Sequence, residues 1–162
     1  MTKIVIFGNS GSGKSTLVKK LTLKYGLAHL DLDTIAWKAS HPPERMPLIG
    51  SDKVIDHFLN TNENWVVEGC YSDLLDRIIQ KADEVIFLNL AVTDCIANAK
   101  KRPWEPHKYE SKEAQDATLN MLIDWISQYV SRTDTFSKMA HEQLYNNFKG
   151  TKTMLTSNES FI

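Results

Sequence analysis

Cysteine is scarce in this chain: Cys70 and Cys95 are the two copies in 162 residues, far apart and in no CxxC spacing. That argues against a disulfide framework or a thiolate metal centre, and fits small core residues in a reducing cytoplasm. No apolar run approaches the ~18 residues of a membrane span, and the first residues read as a strand rather than a signal peptide. Net charge is only −1, which gives no basic field for gripping nucleic acid or an anionic membrane. The histidines at 29, 41, 57, 107 and 141 show no ligand spacing, and there are no repeats or low-complexity tracts. A cytoplasmic monomer with neither membrane nor nucleic-acid partner is the expectation.

What is present is ordinary globular material: 42% hydrophobic and 24% charged residues, enough for one domain over 1–162 with a real core. Strand and helix signals alternate, which predicts an α/β fold with a parallel sheet covered on both faces. Strands are expected at 3–7, 28–32, 65–68, 84–90 and 152–156. Helices are expected at 15–25 (closed by Gly26), 50–60, 72–81, 93–101, 112–131 and 134–148. The last two carry apolar stripes, Met121, Leu122, Trp125, Ile126 and Tyr129, then Phe136, Met139, Ala140, Leu144 and Phe148. Such stripes, like Trp65 in its strand, read as core. Three prolines keep residues 38–48 out of helix and central strand.

The most specific pattern is Gly8-Asn9-Ser10-Gly11-Ser12-Gly13-Lys14-Ser15-Thr16, which matches the phosphate loop G-x-x-x-x-G-K-[ST]. Its context is the one that motif demands, a buried strand before it and an amphipathic helix after it. Glycines let successive backbone N–H groups turn toward one anion, and the helix dipole adds to the same spot. Lys14 can reach the outer phosphates and the Ser15 hydroxyl can ligate Mg²⁺. The glycines do not fit the dinucleotide pattern G-x-G-x-x-G. Nucleoside triphosphate binding is the expectation.

Transfer of a phosphoryl group also needs carboxylates, which open parallel sheets place at strand carboxyl ends. Asp31, Asp33 and Glu68 stand at such ends. Asp31 and Asp33 point the same way in an extended chain, so they either share a metal or hydroxyl or form a solvated strand end, with Asp33-Thr34 capping a helix over 34–37. Glu68 ends a β-prone run, at the ligand edge or in a turn. Asn89 brings no charge to the end of the fourth strand, which leaves the metal to Ser15, Glu68 and Asp31. Arginine is rare, four copies against fifteen lysines, and its planar fork suits phosphoryl oxygens. Arg102, beside a Pro-bounded lid segment over 102–112, and Arg132, at a helix joint, are candidate clamps. Arg77 reads either as a contact for an anionic acceptor or as solvated helix surface. Lys100 and Lys101 fit a phosphate contact or a favourable helix end equally.

With these residues assembled, the chain resembles the small P-loop nucleoside and metabolite kinases of the adenylate kinase and shikimate kinase group. Within that group it is similar to the adenylate-kinase-related topology modulation (FlaR-like) proteins. Leu32-Asp33-x-x-x-Trp37 and Trp65-Val66-Val67-Glu68-Gly69-x-Tyr71 resemble that family's LDxxxW and WVxDGxY signatures, over about residues 1–102. The resemblance implies a three-layer α/β/α fold with strand order 2-3-1-4-5 and adenine held near Thr156 and Ser157. It also implies that Asp33 and Trp37 face the acceptor. Glu68, where the family usually has Asp, would hold Mg²⁺ through water.

The leading expectation is an ATP- and Mg²⁺-dependent kinase acting on a small acceptor, with Lys14, Asp33, Arg102 and Arg132 catalytic. The alternative is a nucleotide-binding regulator or DNA-topology-associated protein with weak or no kinase activity. Near-neutral charge and the lack of an NKxD signature speak against DNA contact and a GTPase switch.

Overall fold

The computed structural model describes residues 1–40 and 44–159, so His41, Pro42 and Pro43 lie outside the described residues. Five strands, β1 (Lys3–Gly8), β2 (Ala28–Asp31), β3 (Trp65–Gly69), β4 (Glu84–Leu88) and β5 (Thr151–Leu155), form one sheet in the order β2-β3-β1-β4-β5. Every neighbouring pair is parallel.

Alternation along β1 divides the core in two. Val5 and Phe7 face one side with Val67 and Phe87, under α2 (Leu48–Thr61), α3 (Ser72–Ile78) and α7 (Lys138–Asn147). Ile4 and Ile6 face the other side with Val66 and Leu88, under α1 (Lys14–Tyr25), α4 (Val92–Lys101) and α6 (Leu119–Ser127). The central strands are apolar on both faces because both are covered. This is the three-layer fold and strand order that the resemblance implies. Among the described residues no helix is long and apolar enough to cross a membrane.

Several boundaries differ from the sequence expectation. The helix expected over 112–131 is two, α5 (Lys112–Ala117) and α6, parted at Thr118, whose hydroxyl donates to the Gln115 carbonyl at 2.8 Å. The later helix starts at 138 rather than 134 because Ser137 caps it, accepting from the Ala140 amide at 3.0 Å. Core-facing positions on α6 are Leu119, Leu122 and Ile126, so Met121 falls off the phase and is 74% exposed. Met139 is displaced from the α7 stripe in the same way, while His141 and Leu144 turn inward. The expected helix over 34–37 is instead a single 3₁₀ turn, Leu32–Thr34, capped by Asp31 rather than by Asp33. The helix expected over 72–81 tightens into a 3₁₀ turn after Ile78, and β4 stops at Leu88, short of Asn89.

Candidate active site

The phosphate loop lies between β1 and α1 at the carboxyl edge of the sheet. Gly11 (φ 79°) and Gly13 (φ 93°) take left-handed backbone, and a Cβ on Gly11 would lie 2.4 Å from the Cys95 carbonyl. No side chain caps α1, so its first N–H groups and positive dipole end are left to the loop. The loop is braced from outside. Asn98 donates to the Gly11 carbonyl at 2.8 Å and to Asn158, which donates to the Ser12 carbonyl at 2.9 Å. Asn9 donates to the Ile126 carbonyl from a buried position. Ser10 is partly buried, and Ser15 and Thr16 open to solvent on the first turn of α1. Lys14 Nζ bonds the carbonyls of Gly8 (3.2 Å) and Asn9 (2.8 Å), which holds it across the loop. The Ser12 hydroxyl is fully buried and has no hydrogen-bond partner among the described residues. A buried, unpaired hydroxyl is costly in a protein interior, and a phosphate oxygen would satisfy it.

Glu68 sits beside this loop because β3 pairs with β1, in register with Ile6, and with β2, in register with Asp31. It is only 3% exposed. One carboxylate oxygen accepts from Ser15 Oγ at 3.3 Å and the other meets His29 Nε2 at 2.7 Å. Ser15, Glu68 and Asp31 thus share one edge. Among the described residues no group of three or more His, Cys, Asp or Glu is arranged to hold a metal by itself. The Ser15 hydroxyl and the Glu68 and Asp31 carboxylates are oxygen donors of the kind that Mg²⁺ takes a few at a time.

A second cluster forms around Asp33. Trp37 Nε1 donates to Tyr71 Oη at 2.9 Å, and Tyr71 Oη donates in turn to Asp33 Oδ1. Lys108 Nζ lies 2.8 Å from Asp33, 3.5 Å from Asp31 and 3.4 Å from Glu105. Burial alone would raise the Asp33 pKa, but Lys108 and the Tyr71 hydroxyl lower it below the usual carboxylate range. Asp31 goes the other way, raised by burial and then by the Asp33 charge. Such opposed environments suit one carboxylate to stay ionised while its neighbour holds a proton or shares a cation. Lys108 stays charged: burial lowers its pKa, but Asp33 and Asp31 raise it further.

The predicted arginines fall outside these two clusters or join them indirectly. Arg102 pairs with Glu105 at 3.2 Å and so reaches the Asp33 cluster through Glu105 and Lys108. Arg132 pairs with Asp134 at 2.9 Å and stacks 3.6 Å over Trp125, the residue next to Ile126, whose carbonyl Asn9 bonds. Arg77 pairs with Asp52 on α2 and is not brought to the carboxylates. Lys100 and Lys101 stay exposed on the last turn of α4. Asn89 donates its backbone N–H to the Leu155 carbonyl, tying the ends of β4 and β5 just ahead of Thr156 and Ser157.

Five participants escaped the sequence reading. Lys108 carries no motif and acts only through the fold of 102–111. His29 is two residues before Asp31, on the same strand face, a period-2 signal that ligand spacing overlooks. Arg45 returns beside Trp37 through an antiparallel bridge, lies 5.0 Å from the Tyr71 ring centroid and pairs with Asp73. Asn98 and Asn158 meet only in three dimensions.

Strand order, glycine loop and covered parallel sheet together define a P-loop NTPase-type α/β/α fold of kinase-like topology. No family model matches the chain. The uncharacterized protein YqaC of Bacillus subtilis (strain 168) is 29% identical over 136 residues, covering 78% of this chain and 71% of that protein. The crystal structure of TT1252 from Thermus thermophilus matches with a TM-score of 0.54 at 13% identity, over 97% of this chain and 90% of that one. At that identity the likeness speaks for the fold alone. The structure of deoxyadenosine kinase from M. mycoides with bound dATP gives a TM-score of 0.46 at 16% identity, over 96% and 91%. At that score it carries no weight here.

Proposed function

We propose that the chain is an ATP- and Mg²⁺-dependent kinase that moves the γ-phosphoryl group to a hydroxyl of a small molecule. The reading treats 1–162 as one kinase-like domain with 102–112 as its lid, akin to the topology modulation proteins. The observation that carries it is the meeting of two clusters at one sheet edge, the phosphate loop with Ser15–Glu68 and Asp33 with Tyr71 and Lys108. A nucleotide-binding module without chemistry has no use for the second cluster. The signature residues Asp33, Trp37 and Tyr71, far apart in sequence, also bond one another directly.

In this scheme Lys14, the Ser12 hydroxyl and the amides of residues 11–16 hold the phosphates, with Gly8 to Thr16 as the cradle. Ser15, Glu68 and Asp31 hold the ion. Bound MgATP supplies an electrophilic phosphoryl group with part of its charge neutralised. Asp33, kept ionised, orients the acceptor hydroxyl and takes its proton at the carboxylate. Trp37 walls the acceptor. Arg102 and Arg132 balance charge at the phosphates once released from Glu105 and Asp134. The segment around Lys108 excludes water. In this reading Arg77 serves the α2–α3 packing.

The test is a transfer assay with ATP, Mg²⁺ and a panel of nucleosides, nucleotides and hydroxylated metabolites. Phosphorylated acceptor formed well above the rate of ATP hydrolysis supports the reading. Slow hydrolysis with every acceptor removes it. Tight DNA binding in an anisotropy titration at moderate salt would favour the regulatory alternative.

A further inference from the structure

The charges around Asp33 bear on what the acceptor can be, an inference that rests on the kinase reading above. Three carboxyl groups, from Asp31, Asp33 and Glu105, converge on the Lys108 ammonium, with Arg102 also on Glu105 and His107 Nε2 4.0 Å from Asp31. A fourth, Glu68, stands in register with Asp31 on the adjacent strand and is buried. An acceptor bearing a phosphate or carboxylate of its own needs cations to receive it, and planar arginine forks do this best. Each of the four arginines already has a carboxylate. Arg45 pairs with Asp73 at 3.1 Å, Arg77 with Asp52 at 2.9 Å, Arg102 with Glu105 at 3.2 Å and Arg132 with Asp134 at 2.9 Å. Arg45 and Arg132, the two beside aromatic rings, are further fixed by those rings. Freeing Arg45 for an acceptor anion would forfeit both its ring contacts and its ion pair, and Arg102 and Arg132, once released, serve the nucleotide phosphates in the kinase reading. Lys108 is already shared among three carboxyl groups, and it shows that this edge receives a cation.

We infer that the acceptor is an alcohol of zero or positive charge, and that the site discriminates against acceptors carrying a phosphate or carboxylate. Its hydroxyl meets Asp33. An amino group, where the acceptor has one, takes a place among the carboxylates equivalent to that of the Lys108 ammonium. Exclusion of anions follows from like charge left without a counter-ion, a repulsive element that selects as strongly as any attractive contact.

The experiment uses matched pairs that differ only in an anionic group: the common nucleosides with their 5′-monophosphates, and glycerol and ethanolamine with their phosphate esters. Each is titrated by calorimetry into the full chain loaded with Mg²⁺ and a non-hydrolysable ATP analogue, which keeps the phosphate loop filled. The expected result is that the unphosphorylated member of at least one pair binds tighter by about tenfold or more, and that no ester binds better than its parent. Asp33→Asn, checked for folding by its analogue binding, should narrow that gap. An ester that binds tighter than its parent overturns the inference, as does the absence of any preference, whether both members bind alike or neither binds. The two readings fail separately. Transfer to a monophosphate sinks this inference and leaves the kinase reading standing. A clear preference for uncharged or cationic members without any transfer sinks the kinase reading and leaves this one.

Discussion

In the proposed donor half, residues 8 to 16 are contiguous and the backbone is braced by glycines, a helix end and two asparagines. In the proposed acceptor half, Asp33, Trp37, Tyr71 and Lys108 come from three separate segments, and side chains hold one another across separations of up to 75 residues. In the proposed reading the first half recognises a constant group, the triphosphate, which backbone N–H groups alone can hold. The second must suit one acceptor, and side-chain hydrogen bonds and charge supply that selectivity. The two halves should therefore respond independently to substitution, the donor half through nucleotide binding and the acceptor half through turnover.

The largest effect is expected at Lys14. Lys14→Ala should lower kcat/KM for ATP by about 10³-fold, because charge stabilisation at the transferring group is lost along with a phosphate contact. A fall below tenfold, measured by steady-state kinetics, would mean that the loop binds nucleotide without serving chemistry. Next comes Asp33→Asn, expected to reduce kcat by about 100-fold as the proton acceptor is lost. Nucleotide affinity should stay within about twofold, since Asp33 touches the donor half only at its margin, through Lys108, which it shares with Asp31. An equal loss in both would show that the halves are one unit. Smaller again is Glu68→Gln, which should weaken Mg²⁺ dependence by about tenfold, read from activity against metal concentration.

How far each half was legible follows from the same contrast. The fold was readable almost throughout, because alternating buried strands and amphipathic helices are local signals and the glycine loop is contiguous. Errors came where a single side chain cut a helix, as Thr118 does within 112–131 and Ser137 does before 138. The acceptor half was half legible. Asp33, Trp37 and Tyr71 stood in motifs, but no periodicity announces that Lys108 meets Asp33 or that Arg45 meets Tyr71. Arg77 had two readings, and only the packing of α2 against α3 shows that its partner is Asp52.

A last expected effect is on stability rather than turnover, and it falls in the buried core. His141 is fully buried; its Nε2 donates to the Cys70 carbonyl and its Nδ1 accepts from the Tyr129 hydroxyl, which makes it neutral. Burial lowers its pKa to about 4 from an ordinary 6.5. The unfolded chain therefore takes up this proton first as pH falls. The His141 contribution is complete above about pH 6.5 and lost progressively toward pH 4, by about 3 kcal/mol in all. Chemical denaturation across that window should show the loss in the native protein, and His141→Gln should flatten it. An unchanged slope in the variant would assign the acid sensitivity to other groups.

The most direct test of the central claim, two separable half-sites on one sheet edge, is calorimetric titration of a Mg²⁺-bound, non-hydrolysable ATP analogue into three proteins. The account predicts that the native chain and Asp33→Asn bind it alike while Lys14→Ala binds it far more weakly. Failure of the native chain to bind, or equal loss in Asp33→Asn and Lys14→Ala, would contradict it.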